Sequence, residues 1–190
     1  MKQHDHMFKL VAAALLCAIG ILIPVVSPVK VSIPPASFTL ASHVAIFVAM
    51  FLSPGVTAAV CIGTTLGFQL AGFPLVVVAR AASQIVFAVL GACWLQKRPG
   101  TLRKAGPAAL FGLAAGAVHA LLEVLVVLPF YVGGGLSEAN YTKGFFMSVV
   151  VLVGFGTVVH SMVDYYLALL VYKPVSRLAQ VQRVSTVGKL

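Results

Sequence analysis

From Phe8 onward the chain is a succession of apolar runs of about 20 residues, each nearly free of charge, and a run of that length crosses a bilayer as a helix. These runs occupy almost the whole length and leave no room for a separate soluble domain. The composition agrees: 61% of the 190 residues are hydrophobic, 9% are charged and the mean hydropathy is +1.06, well outside the usage of soluble domains. The fold class is therefore an all-α integral membrane protein, read as a single membrane domain over 1–190. Six transmembrane helices are expected at about 8–26, 40–53, 55–72, 73–96, 107–130 and 144–172, followed by a tail at about 173–190. The first run is expected to be a transmembrane helix rather than a signal peptide, because no small-residue cleavage site is followed by a soluble region.

Turn chemistry sets the short connections. Ser53-Pro54-Gly55 separates the second and third runs, and Gly72-Phe73-Pro74 separates the third and fourth. Two outer segments exceed the length of a turn. Ser27–Thr39 is proline-rich yet apolar, and is expected to fold over the helix ends; Gly133–Lys143 reads as a flexible linker or lid. A simple connector is the alternative for both. No long internal repeat is visible, which weakens the inverted-repeat architecture of many secondary carriers.

Orientation follows from the basic residues. Placing both termini in the cytoplasm puts Lys2, Lys9, Lys97, Arg98, Arg103, Lys104, Lys173, Arg177, Arg183 and Lys189 inside, and only Lys30 and Lys143 outside. The net charge of +9 is thus a topology signal, and nucleic acid is not an expected partner. Cys17, Cys61 and Cys93 lie in apolar sequence without CxxC spacing, so neither a disulfide framework nor a zinc site is indicated.

Charges inside hydrocarbon are costly unless paired, hydrated or facing a polar cavity. Arg80 lies about 9 Å below the outer end of its helix at Pro74, and Glu123 lies at a similar depth below Pro129. Gln84 follows Arg80 by four residues and His119 precedes Glu123 by four, so each pair shares a helix face. Arg80, Gln84, His119 and Glu123, with Ser42 or His43, form the expected polar cluster in the outer half of the bundle. It is either a small-molecule site, with the planar fork of Arg80 suited to a carboxylate, or an internal salt bridge that fixes packing. His160 and Asp164, also four apart, are expected deeper, hydrogen-bonded to each other; a polar pathway or a metal are the alternatives. A metal trio of His43, His119 and His160 fits poorly because the three are expected at different depths. No metal or other cofactor is expected.

Enzyme signatures are missing: there is no HExxH, no GxSxG, no convincing partner for Ser83 and no Walker motif, so this chain does not hydrolyse ATP by itself. In KLVAAALLCAIG, Ala14 and Ala18 form a small-xxx-small step that admits another helix at close range; packing within the same chain is the alternative.

Six short helices, this alanine-rich first helix, the apolar first outer loop, and the segments IPPASFTLASHVAIFVAMFLSP and GTTLGFQLAGFPLVVVARAASQIVFAVLGA together resemble the S components of energy-coupling-factor (ECF) vitamin importers, most of all the niacin S components. The resemblance implies a compact S-component bundle in a bacterial cell membrane. It implies a substrate-binding subunit that captures its vitamin from outside and works with a transmembrane coupling protein and two ATPases. It places Ala14 and Ala18 against the coupling protein and Arg80, Gln84, His119, Glu123, His43 and Ser42 at the vitamin. Nicotinate is the expected ligand. Another vitamin such as a cobalamin, or a self-sufficient secondary carrier, is the alternative.

Overall fold

The computed structural model describes residues 2–34 and 36–190. Helix α1 (Lys2–Val26) leads into an antiparallel hairpin of β1 (Lys30–Ile33) and β2 (Ala36–Thr39), with Lys30 opposite Thr39 and Ile33 opposite Ala36. There follow α2 (Val44–Leu52), α3 (Pro54–Leu70), α4 (Leu75–Lys97), α5 (Ala105–Val132), α6 (Phe146–Val175) and a short α7 (Ala179–Val184). Four helices, α1, α4, α5 and α6, are long and apolar enough to cross a membrane, and α3 is a shorter apolar helix. The protein is a helical membrane protein, with the hairpin as its one departure among the described residues from an all-α fold.

The second expected span, at 40–53, is corrected to a nine-residue helix of about 13 Å, too short to cross alone. Its sequence, VAIFVAMFL, is apolar on every side, as a helix buried all round requires. Phe47, Ala49, Met50 and Phe51 are fully buried, and α2 packs on α1, α3, α4 and α6. It is the core of the bundle. Ser53 ends α2, and its hydroxyl accepts the Val56 N–H to cap α3 with Pro54 in the first turn, so the expected Ser-Pro-Gly connection is present. At the other expected turn, Gly72 adopts φ 76°, a conformation open to glycine.

The last long helix begins near the expected position but winds as a π-helix over Phe146–Phe155 before continuing as an α-helix, a change of pitch with no cue in its apolar sequence. The segment after Val175 is not a free tail. Val181, Val184 and Val187 are buried, Ser185 Oγ donates to Phe51 O at 2.8 Å and Thr186 N donates to Leu52 O at 2.9 Å, so residues 179–187 strap the end of α2.

Candidate functional site

The hairpin folds over the helix ends, as expected of Ser27–Thr39. Its seat is made by Gly156 on α6: a Cβ there would collide with the ring of Phe38. Phe38 thereby lies over His160, ring centroids 5.2 Å apart. Beneath the hairpin is a cavity of about 390 Å³, whose wall includes Lys30, Phe38, Ser42, His43, Phe68, Phe73, Arg80, Gln84, Glu123, Thr157 and His160. The Gly133–Lys143 segment, expected as a flexible linker or lid with a simple connector as the alternative, is a folded turn. Tyr141 accepts the Leu136 N–H and packs on Tyr131, and no residue of the segment lines the cavity.

The depth estimate for Arg80 and Glu123 holds. Arg80 Nη2 donates to Glu123 Oε2 at 2.8 Å, and Thr157 Oγ1 donates to the same oxygen at 2.6 Å. His119 Nε2 stands 3.4 Å from Glu123 Oε1, its Nδ1 is 2.9 Å from Ser161 Oγ, and its ring stacks on Phe87. His119 is fully buried and does not reach the cavity; it backs Glu123 instead. Arg80 keeps 13% of its side chain exposed, and its buried Nε has no protein partner. Four of its five N–H bonds thus have no protein acceptor, the Nε one buried and the other three on the two terminal nitrogens.

His160 and Asp164 lie deeper than Arg80 and Glu123, as expected, but they are not a separate pair: they join Ser42 and His43 at the cavity floor. Asp164 Oδ2 accepts from His43 N at 2.8 Å and lies 3.1 Å from His43 Nδ1 and 3.3 Å from His160 Nε2, while Oδ1 accepts the Ala41 N–H at 2.8 Å. Gln84 Nε2, 3.1 Å from His43 Nε2, ties α4 to this group. Ser42 Oγ is 3.0 Å from His160 Nε2. The correction has a local cause: Ala41 sits at φ 67°, and this left-handed residue turns the chain so that Ser42 and His43 meet α6. All six expected residues thus fall in two hydrogen-bonded groups that meet through the rings of His43 and His119, and five of the six are on the cavity wall. Missed were Lys30, Thr157, Ser161 and the bridge through Asp164. Thr157, His160, Ser161 and Asp164 recur at three- and four-residue steps, a polar stripe on one helix face that the sequence does display.

Ala14 and Ala18 lie on the exposed face of α1, whereas Ala13, Cys17 and Gly20 face inward toward α2 and α3. Over 161 residues the chain is 43% identical to the niacin transporter NiaX of Lactococcus lactis subsp. cremoris (strain MG1363), covering 85% of this chain and 71% of that protein. The chain belongs to the NiaX family. No protein-family profile and no solved structure matches it. Membership of the NiaX family makes this a bacterial multi-pass membrane transport protein, in agreement with its apolar helices.

Proposed function

We propose that the chain is the substrate-binding S subunit of an ECF-type importer for niacin, with both termini in the cytoplasm and six segments that run between the two faces, the short α2 doing so together with the residues 39–43 that lead into it. It takes nicotinate from outside beneath the hairpin and delivers it with a transmembrane coupling protein and two ATPase subunits. The observation that carries the ligand reading is Arg80: a guanidinium on a cavity wall, held from one side by Glu123 and with Nε unpartnered. Its remaining donors suit a planar carboxylate. Glu123 is already matched by Arg80, Thr157 and His119, so it does not repel an incoming anion as a free carboxylate would. Phe38, Phe68 and Phe73 supply apolar wall for a pyridine ring, and Ser42 and Gln84 supply polar atoms for its nitrogen, with His43, engaged by Asp164 and Gln84, behind them. His119 is a positioning residue behind Glu123. A cavity of about 390 Å³ is at the small end of ligand pockets, favouring a one-ring acid over a corrinoid. The relative's name, niacin transporter, points the same way.

Calorimetry of the purified protein against nicotinate, nicotinamide, other B vitamins and cobalamins tests this. Nicotinate should bind, nicotinamide more weakly, and Arg80→Ala should cost about 100-fold or more, the loss of two charge-assisted hydrogen bonds. Unchanged affinity in a folded Arg80→Ala protein, or binding of a cobalamin in place of nicotinate, would overturn the assignment.

A further inference from the structure

Four polar atoms at the cavity floor converge in a closed ring of contacts. Ser42 Oγ is 3.3 Å from His43 Nδ1 and 3.0 Å from His160 Nε2, and Asp164 Oδ2 is 3.1 Å from the first nitrogen and 3.3 Å from the second. Each of these four edges includes one imidazole nitrogen. A ring nitrogen has a single in-plane site, either N–H or lone pair, and so makes one directed hydrogen bond. At most two of the four edges can therefore be directed hydrogen bonds, whichever tautomers are chosen. A cation at the centre of the ring uses each nitrogen lone pair once and accounts for all four separations together.

The separations are near those such an ion sets. Ligands about 2.0–2.2 Å from a four-coordinate zinc stand about 3.3–3.5 Å from one another; the four edges run from 3.0 to 3.3 Å. The donor atoms of His43, His160 and Asp164 all lie within 4.8 Å of one another, so binding would draw the widest pair together by about 1 Å. The surrounding groups are also those of a metal site. Backbone N–H groups of Ala41 and His43 hold both oxygens of Asp164, so the carboxylate is oriented by its outer contacts; a His43 bound through Nδ1 would carry its proton on Nε2, and the Gln84 side chain would turn its carbonyl oxygen to accept it. Two imidazoles and a carboxylate suit zinc and its neighbours among the divalent transition metals rather than calcium or magnesium.

We propose that His43, His160 and Asp164 form a site for a zinc-class divalent cation at the floor of the pocket, with the Ser42 hydroxyl at a fourth, displaceable position that faces the cavity. Three protein ligands plus one exchangeable position is the arrangement of zinc sites that bind a further ligand. The cation would give the floor a net positive charge that Arg80, matched by Glu123, does not supply. The inference stands whether or not the organic ligand is nicotinate.

The test uses the metal alone. His4 and His6 are exposed near the N-terminus and would hold zinc by themselves, so both are replaced by Ala in every protein titrated. Calorimetric titration of the chelator-treated, full-length protein with Zn2+ should then give one ion per chain. Affinity should fall at least 100-fold in His160→Ala and only a few-fold in Ser42→Ala. If His160→Ala is not recovered folded, His160→Gln takes its place. The Co2+-loaded protein should show the intense visible absorption of a four-coordinate centre. No saturable zinc binding, equal affinity in the folded His160 variant, or only the weak absorption of six-coordinate cobalt would overturn the site. None of these results touches the nicotinate titrations.

Discussion

Ala41 carries an unusual load for a small residue. Its φ of 67° lies in the left-handed region, which costs a residue with a Cβ about 1–2 kcal/mol, and its N–H is held by Asp164 Oδ1. Ala41→Gly should relieve that cost and raise stability by about 1 kcal/mol in thermal unfolding. Asp164→Asn, which replaces one carboxylate acceptor by a donor, should lower stability by several times that amount. Loss of stability in Ala41→Gly would mean the turn is not strained. Arg80 and Glu123 give a second residue-scale expectation. Removing Arg80 alone leaves a buried carboxylate, a loss of about 3–5 kcal/mol. Pairing Arg80→Met with Glu123→Gln should recover most of that stability while nicotinate binding stays lost, separating the packing role of the ion pair from its ligand role. At this scale the sequence was informative where depth alone decided, as for Arg80 and Glu123. It was silent on His43 and Asp164, which meet across 121 positions only because Ala41 turns the chain toward α6.

At the scale of elements, glycines set which surfaces meet. Gly63 lies against Cys17, Gly67 against Ile21 and Gly20 against Thr64, so α1 and α3 approach closely along a seam of small residues. Gly156 does the same for the hairpin, making room for Phe38. Gly156→Val should therefore lift the hairpin without unfolding α6. Ligand affinity is expected to drop at least tenfold while the helical circular dichroism stays unchanged; retained affinity would show that the hairpin does not close the pocket. Helix positions were legible in the sequence because apolar runs and turn residues are local signals. The length of α2 was not. The apolar character of 40–53 is equally compatible with a span and with a short buried helix, and the choice depends on the four helices packed around it.

At the scale of the molecule, the two faces of α1 divide the labour. Ala13, Cys17 and Gly20 pack inward, and Ala14 and Ala18 remain outside as a smooth strip. If that strip seats the coupling protein, Ala14→Trp with Ala18→Trp should abolish energised uptake in cells while the isolated protein binds ligand with its normal affinity. Normal uptake would remove the strip from the coupling surface. The strap after α6 is a molecule-scale device too. It joins the end of the last long helix to the end of the buried α2 through Ser185 and Thr186. Deleting residues 179–190 removes the buried Val181, Val184 and Val187 and uncovers the apolar surface they pack on, and should lower the unfolding midpoint with a loss of roughly 3 kcal/mol.

The sequence by itself determined the membrane class, the approximate places of the helices and the depth of each intramembrane charge, because hydropathy, rise per residue and helical period are properties of a single segment. Tertiary structure alone decided which polar groups share a cavity, since that depends on how far each helix is rotated and how closely its small residues let a neighbour approach. His119 was turned behind Glu123, His160 was turned toward Ser42, and Phe38 was lowered onto Gly156. Rotation and approach are set by packing between distant segments, and a one-dimensional pattern carries no term for them.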